Sequence, residues 1–158
     1  MALKAIPAWL VDAADALEYA ISKGAKVSSN SYGGYGTFNG FKNILDNNPQ
    51  HIFVCSAGNN ELLLSNDVTY SPCSTNPSSN LLCVGATDKY DQKSSFSNYG
   101  TDHVHVFAPG SKIASCGHRS TNSYVYEWGT RYVFSPNLIS MNELLTDHPP
   151  KSDLWWEE

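Results

Sequence analysis

Residues 56–60 read Ser56-Ala57-Gly58-Asn59-Asn60 and follow the apolar run His51-Ile52-Phe53-Val54-Cys55. A glycine and two carboxamides thus meet at the C-terminal end of a predicted buried strand, where open α/β sheets bind ligands. A side-chain amide donates N–H without a titrating charge, so Asn59 is suited to hold an oxyanion developing on a carbonyl at any working pH. Gly58 lets the backbone bring that amide close to a substrate. On residue types alone, an Asn-Asn pair after a strand is more often an Asx turn. Ser31-Tyr32-Gly33 could pair its main chain with an extended peptide, with Gly33 leaving room for close approach. It could equally be an ordinary strand-to-helix turn. The following glycines, Gly34, Gly36 and Gly40, miss the G-x-G-x-x-G spacing by one residue, which argues against a phosphate loop.

Other chemistry-bearing residues are less specific. His103 and His105 would share one face of a strand beside Asp102, but a third metal ligand is lacking, so surface histidines are the favoured reading. Asp88 and Asp91 read as turn and cap residues, since no run of alternating oxygen donors surrounds them. Cys73 and Cys83 bracket a segment rich in turn formers that a disulfide could close in an oxidising compartment; two separate buried thiols are the alternative. The four cysteines include no Cys-x-x-Cys, which argues against zinc or redox work.

These residues need a scaffold, and the periodicity supplies one. Ala13, Leu17, Ala20 and Ile21 share a face of a predicted helix over 12–23, stopped by Gly24. A short strand is predicted at 25–30, a second helix through Phe38, Phe41, Ile44 and Leu45 ending before Pro49, and strands at 51–55, 81–86 and 103–107. Strands alternating with helices imply parallel βαβ units and an α/β sheet covered on both faces.

Composition narrows the partners. With 158 residues, 41% of them hydrophobic, the chain can bury a real core. Its 10 Lys+Arg against 15 Asp+Glu, net charge -5, offer no basic block for phosphates, so no nucleic-acid partner is expected. No run of about 18 apolar residues suggests a membrane span, and the first residues do not read as a signal peptide.

Four ordered matches carry a resemblance to the subtilisin-like serine proteases. Gly24-Ala25-Lys26-Val27 through Ser31-Tyr32-Gly33-Gly34 is similar to the strand and Ser-x-Gly-Gly turn that form one wall of the substrate cleft, and His51 to Asn60 to the next strand and its oxyanion loop. Val84-Gly85-Ala86-Thr87-Asp88 with Ser95-Phe96-Ser97-Asn98-Tyr99-Gly100, then Val106-Phe107-Ala108-Pro109-Gly110, follow in the family's order. The resemblance covers about residues 10–130. It implies a three-layer parallel sheet with helices on both faces, truncated at both ends, and a serine endopeptidase acting on peptides or proteins. It also implies Asn59 in the oxyanion hole and Ser31, Tyr32, Gly33, Ser56, Ala57 and Gly58 at the substrate. Secretion or the secretory pathway is implied as well. Calcium is common in the family, but no residues of this chain match a cation site, so no cofactor is expected.

The family's chemistry requires an attacking serine, a histidine base and an orienting aspartate. The family's Asp-Thr-Gly or Asp-Ser-Gly turn and its His-Gly-Thr-His stretch do not occur in these 158 residues. Where the family has Gly-Thr-Ser-Met-Ala, Gly129-Thr130 is followed by Arg131-Tyr132-Val133. Asn122-Ser123-Tyr124 and Trp128-Gly129-Thr130 still follow the family, so similarity ends within one residue. Arg-Tyr-Val can be encoded by AGG-TAT-GTN, which contains a splice-donor pattern. Residues 1–130 are therefore expected to be a partial peptidase domain, inactive alone and poorly soluble, and 131–158 a non-homologous, poorly ordered tail. Two alternatives accompany this reading: a non-catalytic peptide-binding relative, and a Rossmann-like nucleotide binder that shares the strand-to-loop pattern.

Overall fold

A computed structural model describes residues 8–74, 79–116 and 124–131. The chain runs α1 (Ala8–Ser22), β1 (Val27–Asn30), β2 (Gly34–Tyr35), α2 (Asn39–Asn47), β3 (Ile52–Ser56), β4 (Tyr70–Ser71), β5 (Leu81–Thr87), β6 (Val106–Pro109), β7 (Ile113–Cys116) and β8 (Tyr124–Glu127). β1, β3, β5 and β6 form one parallel sheet in that order. The α/β class with a central parallel sheet is as expected. Two small antiparallel pairs, β2 with β4 and β7 with β8, were not legible in the pattern.

Alternation along the strands sorts the core. Phe53 and Cys55 of β3 and Leu81 and Cys83 of β5 face the helices, where they bury Leu10, Ala14 and Leu17 of α1 and Phe41, Ile44 and Leu45 of α2. The alternate residues Val54, Val84 and Ala86 cluster on the opposite face with Phe96, which comes from the loop after β5. Among the described residues that face carries no helix, and Val27, Ile52 and Leu82 on it are only partly buried.

Parallel pairing sets the site's frame. In the β1–β3 register Asn30 lies opposite Cys55, so the loops that leave both strands emerge side by side at one end of the sheet. Asn30 strengthens that join, since its Nδ2 donates to Val54 O across the strands at 3.2 Å.

The expected strand at 103–107 begins later than predicted. His103 N and Val104 N both donate to Gly100 O, which makes 100–104 a turn and drops Val104 into the helix-side core. β6 starts at Val106, so the two histidines do not share a strand face. His103 is buried rather than a surface residue, and His105 Nδ1 accepts the Cys83 N–H at 2.8 Å. Among the described residues no three of His, Cys, Asp or Glu converge on a metal position.

Cys73 and Cys83 are disulfide-bonded, with Cα atoms 5.0 Å apart, while Cys55 is a free, buried thiol. Among the described residues no helix is long and apolar enough to cross a membrane. The tail beyond residue 131 lies outside the described residues.

Candidate active-site cleft

Asn59 follows β3 and is exposed, whereas Ser56 and Ala57 before it are buried. Gly58 turns the chain between them with φ 96°, a conformation that suits glycine. The loop is tied down by a side chain to which sequence reasoning gave no role. Asn98, fully buried, donates from Nδ2 to Ala57 O at 2.8 Å and accepts from Asn60 N and Leu62 N on Oδ1 at 3.0 Å each. Its own N–H donates to Gly58 O. Asn98 lies inside the Ser95–Gly100 motif, which was the available signal.

The second tie comes from the far end of the described chain. Thr130 N donates to Asn59 Oδ1 at 2.9 Å and Thr130 Oγ1 donates to the same oxygen at 3.0 Å, while Gly58 N donates to that hydroxyl at 3.2 Å. The amide oxygen is thus engaged twice, which fixes the orientation of the group. Asn59 Nδ2 has no partner among the described residues, so two N–H donors on an exposed residue stay unspent.

The stretch after β1 leaves the sheet beside this loop. Ser31 is exposed, and its hydroxyl donates to the carbonyl of Arg131 at 3.5 Å. The residue after Thr130 therefore sits between the Ser31–Gly33 wall and the Asn59 loop. Tyr32 turns inward: its hydroxyl donates to Asn30 Oδ1 at 2.8 Å and its ring packs 6.0 Å from that of Phe41. Burial, with the Cys55 thiol beside it, pushes the Tyr32 phenol up to about 12, and burial raises Cys55 well above the ordinary thiol range. Neither group ionises near neutrality.

Ser31, Tyr32, Gly33, Gly58 and Asn59 are thus brought together. Ser56 and Ala57 instead build the wall from behind: Ala57 N donates to Val84 O and its carbonyl accepts from Asn98. A separate open cleft of about 750 Å³ lies between Tyr90, Lys112 and Trp128. Asp88 Oδ1 at its edge accepts from Tyr90 N and Gln92 N, an Asx turn as expected.

A family model, the subtilase family of S8 peptidases, matches residues 7–133. The chain belongs to the subtilase family. A thermophilic serine proteinase of Bacillus sp. (strain AK1) is 38% identical over 138 residues, spanning 86% of this chain and 32% of the relative. Thermitase of Thermoactinomyces vulgaris is 38% identical over 134 residues, spanning 84% of this chain and 44% of its own. Among solved structures, a cold-adapted subtilisin-like serine proteinase superposes with a TM-score of 0.67 at 26% identity, covering 85% of this chain and 46% of that one. A lanthipeptide protease superposes at 0.69 with 16% identity, a likeness of fold. This subtilase chain therefore spans less than half the length of the Bacillus proteinase or of thermitase, and the family assignment removes the nucleotide-binding alternative.

Proposed function

We propose that this subtilase chain carries the oxyanion element and one substrate wall of a serine endopeptidase, and that by its own residues it binds peptides without cleaving them. The observation that carries the reading is the double engagement of Asn59 Oδ1 by Thr130, which orients the amide and leaves its N–H groups unspent at the end of β3, the same end of the sheet at which Ser31–Gly33 follow β1. Donors held in that way suit a carbonyl oxygen whose negative charge grows.

An oxyanion donor stabilises a charge that another group must create. In the family resemblance the nucleophile follows Gly-Thr, and in this chain Arg131 holds that place, with no Asp-turn or His-Gly-Thr-His stretch in the 158 residues. A guanidinium offers only N–H donors and does not attack a carbonyl as a serine hydroxyl does. Without nucleophile and base, the donors give no detectable turnover. The same substitution favours the reading as a non-catalytic peptide-binding relative, since the cleft walls are kept while the attacking group is not. The partner is an extended peptide paired along Ser31–Gly33, and no metal or cofactor is assigned. The disulfide between Cys73 and Cys83 supports an oxidising setting such as the secretory pathway.

The test uses the purified 158-residue chain with fluorogenic peptides and, in parallel, peptide-binding anisotropy. We expect binding that weakens on substitution of Gly33 and no hydrolysis above the buffer rate. Hydrolysis that survives purification and an inhibitor of contaminating proteases would refute the reading.

A further inference from the structure

The open cleft between Tyr90, Lys112 and Trp128 shares no residue with the Asn59 site, and three segments build it. One is the turn 88–91 after β5, the second is the stretch 109–113 that leaves β6 and enters β7, and the third is Trp128 after β8. Main-chain bonds join them: Gly110 N donates to Thr87 O at 3.0 Å, and Gly129 N donates to Gly110 O at 2.9 Å. The hydroxyls of Ser94 and Ser111 meet at 2.6 Å and add a further tie. Thr87 and Pro109 pair at the carboxyl ends of neighbouring parallel strands, the edge at which open α/β sheets bind ligands.

The lining has a definite chemistry. Tyr90 and Trp128 are 69% and 51% exposed, so two aromatic rings are offered to solvent in one cleft. Lys89 Nζ lies 4.7 Å from the centroid of the Tyr90 ring and steadies it. Asp91 and Lys112 hold left-handed backbones, with φ 57° and 55°, and they are two of the three such non-glycine residues among those described. Residues held in that conformation are uncommon and gather at ligand clamps. Among the described residues neither side chain forms an ion pair. Lys89 and Lys112 stand against Asp88 and Asp91, so the cleft has no field of one sign to concentrate a phosphate or another strongly charged ligand.

We propose that this cleft is a carbohydrate-binding site, which takes a β-linked sugar of gluco configuration against Tyr90 and Trp128. In such a ring every hydroxyl is equatorial, so both faces present C–H groups while the edge presents donors and acceptors together. The faces suit exposed aromatic rings. The edge suits a cleft that holds an ammonium, Lys112, and a carboxylate, Asp91, both free of ion pairs. The volume of about 750 Å³ falls in the range of ordinary small-molecule sites, about 300–1,000 Å³, and admits a disaccharide. Trp128 stands two residues before Thr130, so the sugar is held next to the segment that orients Asn59. The inference is independent of the peptide-cleft reading, since the two sites share no residue.

The experiment titrates cellobiose into the nitrogen-15-labelled full chain and follows two signals, the Trp128 indole N–H, identified by its loss in Trp128→Phe, and the Lys112 backbone N–H. Both are expected to shift saturably at millimolar sugar. Removing an aromatic anchor should weaken binding about 10-fold or more, so Trp128→Ala and Tyr90→Ala, each checked by melting and read at Lys112, are expected to lose most of the shift. No saturable shift in the wild type would overturn the proposal, as would an affinity unchanged in both variants. Tighter binding of N-acetyl-phenylalaninamide than of cellobiose would also overturn it, since the cleft would then be a seat for aromatic side chains. If one variant does not fold the other decides, and if neither folds the wild-type order of the two probes decides.

Discussion

Asn98 and Thr130 both fasten the loop that carries Asn59, yet they reach it from unlike surroundings. Asn98 is fully buried, sits in the turn that crosses the end of the sheet, and bonds three main-chain groups at 57, 60 and 62. Thr130 is also buried, but it is delivered by β8, a two-stranded ribbon with β7 in which Tyr124 and Tyr126 are 76% and 67% exposed. An isolated two-stranded pair is marginal in water. The loop's shape is thus secured by the core, while the orientation of the Asn59 amide depends on a more weakly supported element.

Asn98→Ala leaves Ala57 O, Asn60 N and Leu62 N without their partner in a buried place, and should cost about 3 kcal/mol of stability, read by urea unfolding. A loss under about 1 kcal/mol would mean that the loop holds its shape without it. Thr130→Val keeps the size and removes the hydroxyl between Gly58 N and Asn59 Oδ1, with an expected cost of about 1–2 kcal/mol. Its sharper signature is faster amide hydrogen exchange at Gly58 with little change at Leu62. Tyr126→Ser, on the exposed ribbon, should move stability by no more than about 0.5 kcal/mol.

Much of the Asn98 side of this comparison was legible as a motif and little of it as a mechanism. Periodicity located α1, α2, β1, β3 and β5 because each buries a regular set of side chains against one sheet face. It misplaced the start of β6 because a turn closed on Gly100 O competes with strand pairing over 101–105, and nothing local reveals that Val104 is needed in the core. The oxyanion role of Asn59 came from family resemblance. The residue that holds its loop, Asn98, and the one that orients its amide, Thr130, are 39 and 71 residues away, and no local spacing encodes such contacts.

The smallest expected effect concerns His105, which lies on the segment leading into β6. Burial lowers its pKa from the ordinary 6.5, with His103 adding to the shift, and its Nδ1 accepts from Cys83 N, which requires the unprotonated nitrogen. The folded form therefore binds its proton less readily than the unfolded chain. The resulting stability is present above pH 6.5 and is lost as pH falls below it, levelling off beneath the lowered folded pKa. In melting curves between pH 7.5 and about 5, His105→Asn should flatten this decline slightly. An identical pH dependence in the variant would remove His105 from the account.

Thr130 locks the Asn59 amide, and in the proposed function that amide faces a bound peptide. The side-chain amide resonances of Asn59 and Asn98 in the nitrogen-15-labelled chain, followed while an extended peptide is titrated, test this most directly. Binding at the cleft predicts that the Asn59 Nδ2 resonances shift with peptide concentration while those of Asn98 stay nearly fixed. Peptide binding that leaves the Asn59 amide unmoved would contradict it.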